Sequence, residues 1–79
     1  MNNEYFIMYT QNGCKWCDKA KELLNSKGFE WEEINISANA IAKAEFIKEG
    51  FTKVPQIFDY KNELIGGYTE LEKYFDKNN

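Results

Sequence analysis

Cys14 and Cys17, in the run Gly13-Cys14-Lys15-Trp16-Cys17, are the only thiols in the chain, and their spacing is the feature that most directly suggests chemistry. On one turn of a helix, two sulfurs so spaced come close enough to form a disulfide or to hold one side of a metal. A helix beginning at about Cys14 would set that thiol against peptide N–H groups with no partner inside the helix, and the positive end of the helix dipole favours thiolate over thiol. Lys15 and Lys19 add positive charge, the setting in which a cysteine becomes nucleophilic. Cys14 is therefore the candidate nucleophile, and Cys17, one turn further in, the more covered thiol that resolves a mixed disulfide. Scattered cysteines could serve as small buried hydrophobes; a CxxC after a strand and before an amphipathic helix points to a redox dithiol. With no third cysteine and no histidine, a self-contained zinc site lacks ligands.

The scaffold around this pair has to be small. Seventy-nine residues suffice for one domain, expected over 1–79, near the lower limit at which a single core holds a fold. A 16% aromatic content predicts a core built from large rings. Two neighbouring cysteines cannot cross-link distant segments, which argues against a secreted disulfide scaffold. Met1-Asn2-Asn3-Glu4 lacks the basic and apolar blocks of a signal peptide, and no apolar run approaches membrane-spanning length. A reducing cytoplasm and no membrane partner are expected. A net charge of −3 offers no general attraction for nucleic acid. Every cation is a lysine, so no guanidinium fork is available for bidentate recognition.

Residues 5–9 form a continuous apolar run that predicts a strand buried on both faces, at the middle of a parallel or mixed sheet. A polar turn over 10–13 leads into the CxxC. Trp16, Ala20, Leu23 and Leu24 then recur at helical spacing, and Gly28 ends the helix. Residues 29–36 predict a second strand, with Ile34 and Ile36 on one face and Phe29 and Trp31 on the other. Strand, helix and strand at this distance form a right-handed crossover. Ser37 or Asn39 could cap a second helix reaching about Glu49, with Ile41, Ala44 and Ile47 inward and Gly50 closing it. Residues 56–60 and 63–65 predict a hairpin around Lys61-Asn62. Gly66-Gly67 introduces a last helix with Leu71, Tyr74 and Phe75 buried. Pro55 opens a strand, where its missing donor is tolerated. Residue chemistry alone favours a trans bond there, since about one X-Pro bond in twenty is cis.

Read together, Cys14-Lys15-Trp16-Cys17, Lys53-Val54-Pro55-Gln56-Ile57-Phe58 and Gly66-Gly67-Tyr68-Thr69-Glu70-Leu71 resemble the glutaredoxins of the thioredoxin superfamily, over residues 4–76. The short chain is similar to small bacterial and phage members. The resemblance implies an α/β thioredoxin fold: a four-stranded mixed sheet flanked by three helices in the order βαβ-α-ββα, with Pro55 cis. It also implies glutathione as the reductant, with no permanent cofactor. Cys14 and Cys17 match the nucleophilic and resolving thiols. Trp16 stands where an aromatic, usually tyrosine, walls the glutathione groove, although a core ring on the helical stripe is the alternative. Val54 matches the residue whose backbone pairs with the cysteinyl unit. Gly66 and Gly67 match the glycine pair that admits the ligand closely, and Thr69 and Glu70 the polar pair that holds the γ-glutamyl group. Lys43 aligns with the residue that meets the glycyl carboxylate, or is a solvated surface lysine. Three positions depart from the pattern: Gln11 replaces a lysine, Lys15 a proline and Lys53 a threonine.

The function so implied is reduction of protein disulfides and glutathione mixed disulfides by a cytoplasmic monomer. For a phage-encoded chain the cytoplasm would be the host's. Ribonucleotide reductase is among the partners the family serves. Two other readings stand beside it: a homodimer binding an iron-sulfur cluster through Cys14 and glutathione, which Lys15 leaves open, and a dithiol reduced by thioredoxin reductase, towards which Gln11 leans.

Overall fold

The structure, a computed structural model, describes residues 5–77. Met1-Asn2-Asn3-Glu4, on which the signal-peptide reading rests, lies outside them. The described residues form β1 (Phe6–Thr10), α1 (Lys15–Ser26), β2 (Trp31–Asn35), α2 (Ala40–Lys48), β3 (Gln56–Phe58), β4 (Leu64–Gly66) and α3 (Tyr68–Lys77). The sheet order is β2-β1-β3-β4. β1 and β2 are parallel, as the crossover through α1 requires, and the β1–β3 and β3–β4 pairs are antiparallel. This is the four-stranded mixed sheet with three helices that the resemblance implied.

Alternation along β1 divides the core. Phe6 and Met8 point to the side where Ala20 and Leu24 of α1 and Leu71 and Phe75 of α3 close over them together with Ile57. Tyr9 points to the other side, where its ring meets Phe46 of α2 at 5.4 Å and Phe58 at 6.2 Å. β1 is central as expected, but it runs one residue later than the apolar run suggested. Its second face is only half-buried, because a single short helix covers it.

The inward face of α2 is a correction. Ile41, Ala44 and Ile47 were expected inside; instead Ala42 and Phe46 are buried, while Ile41 is 74% and Ile47 62% exposed. Ala42 and Phe46 share a face at i, i+4, and a nine-residue helix has one narrow stripe to bury. The Phe46 ring takes it by packing on both Tyr9 and Phe51. Asn39 caps this helix, accepting from the Ala42 N–H at 3.0 Å.

Two strands are shorter than expected. β2 lies at a sheet edge and starts at Trp31; Phe29 precedes it and stacks on Phe75 at 5.4 Å. β3 stops at Phe58 because Asp59 turns the chain. Its Oδ1 accepts from the Lys61 and Glu63 N–H groups at 2.9 Å each, and Asn62 takes a left-handed φ of 64°. Asp59→Ala is predicted to lower stability by about 1–2 kcal/mol in urea unfolding, because a nearly buried acceptor of two backbone donors is lost. An unchanged midpoint would show that the backbone bonds alone hold the turn.

Candidate active site

The site begins where β1 ends. Thr10, buried at the last position of that strand, fixes the exit of the chain by accepting from the Ile36 N–H at 2.9 Å through its carbonyl. The turn that follows is tied to the far end of β2. The Asn12 N–H donates to Ser37 Oγ at 3.1 Å, Asn35 Nδ2 donates to Asn12 Oδ1 at 3.0 Å, and the Ser37 N–H donates to Asn35 Oδ1 at 2.8 Å. Gly13, at φ 72°, then swings the chain into α1.

Cys14 is the N-cap of α1, in extended conformation, and its Sγ accepts from the Cys17 N–H at 3.1 Å. The sulfur thus occupies the position of a capping oxygen, on the unpaired N–H groups where negative charge is favoured. Cys14 and Cys17 are joined as a disulfide with Cα atoms 5.2 Å apart, so this is the oxidised form. Exposure separates the two: Cys14 is half-exposed and Cys17 is 1% exposed. An incoming sulfur reaches Cys14, and Cys17 is reached from within the protein.

Two open clefts share Trp16, Lys53 and Val54, and Cys14 lines the larger of them. The larger, of about 770 Å³, brings Gln11, Lys15 and Lys43 alongside Cys14. The other, of about 430 Å³, brings Pro55, Gly67, Thr69 and Glu70 together with Trp16. The binding residues expected from the resemblance line one cleft or the other, although Lys43 comes from α2 and Thr69 from α3; Gly66 of the expected glycine pair lines neither. Trp16 is 54% exposed with its ring 5.5 Å from that of Tyr68, so it walls the groove instead of entering the core. The Val54-Pro55 bond is cis.

Glu70 has a partner at the start of its own helix. Its Oε1 accepts from the Gly67 N–H at 2.8 Å, capping α3. Gly66 has φ 121°, and a Cβ there would lie 2.9 Å from Glu70 Cγ. The glycine pair thus serves the approach of this side chain to the backbone as well as any ligand. Tyr68, Ile36, Ile47 and Phe51 also line the site and were not anticipated. Among the described residues, no group of three or more His, Cys, Asp or Glu side chains is placed to hold a metal ion.

Beneath the site, the Thr10 hydroxyl donates to Glu33, and Lys21 Nζ lies 2.9 Å from the same carboxylate. The Thr10 hydrogen bond first, then Lys21, holds the Glu33 carboxyl below its ordinary value of 4.5. A depressed acid stabilises the fold above its unfolded pKa, and that stabilisation is lost as pH falls through the folded value. Thr10→Val is therefore predicted to flatten the fall in stability between about pH 5 and pH 3. Partial exposure of Glu33 keeps the effect small. Parallel pH-stability curves for the two proteins would contradict this assignment.

The chain matches a model of the glutaredoxin family over residues 6–65. It is 45% identical over 65 residues to glutaredoxin 3 of Escherichia coli K12, covering 81% of this chain and 77% of that one. It is 42% identical over 72 residues to hybrid peroxiredoxin hyPrx5 of Haemophilus influenzae, covering 91% of this chain but only 30% of that longer protein. Among solved structures, glutaredoxin 1 from Francisella tularensis, complexed with cacodylate, superposes with a TM-score of 0.78 at 31% identity, covering 94% of both chains. A buckwheat glutaredoxin-glutathione complex superposes with a TM-score of 0.74 at 25% identity, covering 91% of this chain and 69% of that one. The family match runs from β1 into β4 and takes in both cysteines, set where disulfide exchange needs one accessible and one sheltered sulfur. The chain belongs to the glutaredoxin family of thiol-disulfide oxidoreductases.

Proposed function

We propose that the protein is a glutathione-dependent, monomeric oxidoreductase of the cytoplasm that reduces protein disulfides and glutathionylated cysteines. The observation that carries this reading is the groove around an accessible Cys14, with lysines in the larger cleft and the capped start of α3 in the one that adjoins it at Trp16. Glutathione is an extended tripeptide with a carboxylate at each end. Lys43, helped by Gln11 and Lys15, meets the glycyl carboxylate; the Val54 backbone next to Pro55 pairs with the cysteinyl unit. Thr69, Glu70 and the N–H groups at the start of α3, next to Gly67, receive the γ-glutamyl end, whose ammonium donates to the Glu70 carboxylate. Support comes from family membership and from the buckwheat relative, which was solved with glutathione.

In the reaction, the Cys14 thiolate attacks one sulfur of the substrate disulfide. That S–S bond breaks, a mixed disulfide forms, and the departing thiolate takes a proton. Cys17, deprotonated, then attacks Cys14 Sγ, releasing the second substrate thiol and closing the internal disulfide. Two glutathione thiols restore the dithiol and leave as glutathione disulfide, so two electrons pass from glutathione to substrate. Tested with a glutathionylated peptide, turnover should be sustained by glutathione with glutathione reductase and should be slow with thioredoxin reductase. The reverse ranking would transfer the assignment to a thioredoxin-reductase-linked dithiol.

A further inference from the structure

We infer that the larger cleft beside Cys14 selects disulfide-bearing polypeptide segments in which carboxylates flank an apolar side chain, and that Lys53 and Ile47 set this selectivity. The inference rests on the oxidoreductase reading but not on glutathione as the donor.

Charge is the first observation. The chain carries 13 acidic and 10 basic residues, yet the larger cleft is lined by Lys15, Lys43 and Lys53 and by no acid. Among the described residues none of these three ammonium groups is in an ion pair. An acidic protein has therefore gathered unpaired cations around its reactive sulfur, where the low-dielectric walls of a cleft strengthen their field. Lys53 stands where the two clefts join, so it meets a bound chain whichever way that chain runs.

The apolar surface is the second. Ile36 and Phe46 are buried beneath this cleft, Phe51 is half-buried beside them, and Ile47 reaches its rim while 62% exposed. Glutathione satisfies the lysines through its carboxylates but has no large side chain to cover Ile47 and Phe51. A protein segment supplies both, bringing its disulfide to Cys14, a carboxylate to Lys53 and a leucine-sized group to Ile47. The step is the exchange already described: the substrate disulfide gains two electrons and two protons while Cys14 and Cys17 close their own disulfide.

The test uses pre-reduced protein in single turnover without glutathione. The substrates are peptides of equal length with one internal disulfide, flanked by Glu-Leu, Gln-Leu, Lys-Leu or Glu-Gly, and the released thiols are quantified. The Glu-Leu peptide should react about tenfold faster than Gln-Leu at low salt, with Lys-Leu slowest, and the gap should close towards 1 M salt. Lys53→Glu should bring the Glu-Leu to Gln-Leu ratio to about one or below. Ile47→Ser should remove the advantage of Glu-Leu over Glu-Gly. Equal rates for all peptides, or a charge preference unchanged in Lys53→Glu, would overturn this inference alone; reduction of none of them would overturn the oxidoreductase reading with it.

Discussion

Cys14→Ser is expected to lower turnover on any disulfide by at least about a thousandfold, because removing the attacking atom leaves only binding behind. Cys17 cannot take over the role: at 1% exposure no substrate sulfur reaches it. Cys17→Ser should behave differently with different substrates. A glutathionylated cysteine needs only one exchange at Cys14, after which glutathione clears the mixed disulfide, so this variant should keep a substantial part of that activity. An internal protein disulfide, once opened by Cys14, holds the enzyme until Cys17 expels it, so reduction of such substrates should fall much further. Mass spectrometry of the Cys17→Ser protein after mixing should then find it covalently joined to the substrate. A Cys14→Ser enzyme with more than a few per cent of wild-type turnover would contradict the thiol roles assigned to the pair.

What was legible in the sequence follows the range over which each feature is determined. The capping of α1 by Cys14 depends on a few neighbouring residues, and the strand, turn and helix around it could be read directly. The face of α2 could not. Residues at 41, 44 and 47 and at 42 and 46 both make apolar stripes, and only the presence of Tyr9 and Phe51 beneath the helix decides for Phe46. The tie between Asn12, Asn35 and Ser37 spans 23 to 25 residues and leaves no local trace beyond turn-forming side chains. The residues of the groove have no common periodicity either. Those that could be expected follow from the likeness of three short motifs to a family, whereas Ile36, Ile47, Phe51 and Tyr68 do not; the same resemblance indicated the cis Pro55 against the ordinary preference of the bond. The capping of α3 by Glu70 is local and leaves a sequence signal, an acid three residues after a helix-opening glycine.

Phe6→Ala should be the most destabilising single change in the core, costing about 3–5 kcal/mol. Phe6 is 1% exposed at the start of β1, and its ring lies 5.1 Å from Phe29, 6.0 Å from Tyr74, 6.2 Å from Phe75 and 6.4 Å from Tyr60. These rings come from the loop before β2, from α3 and from the β3–β4 turn, so one side chain joins segments that no cross-link holds together. A domain of this size has a total stability of about 4–12 kcal/mol, of which the loss is a large share. Phe6→Leu should cost about 1–2 kcal/mol, since it fills most of the volume but ends the ring pairing. Urea unfolding of the two variants separates burial from ring geometry, and a loss below about 1.5 kcal/mol for alanine would show that the neighbouring rings collapse into the space. The same variants test how far the site depends on this end of the core. Phe6 begins the strand whose other end delivers Cys14, and the tie between Asn12 and Ser37 lies at that other end. At temperatures where Phe6→Leu remains folded, its turnover should therefore match the wild type even as its unfolding midpoint falls.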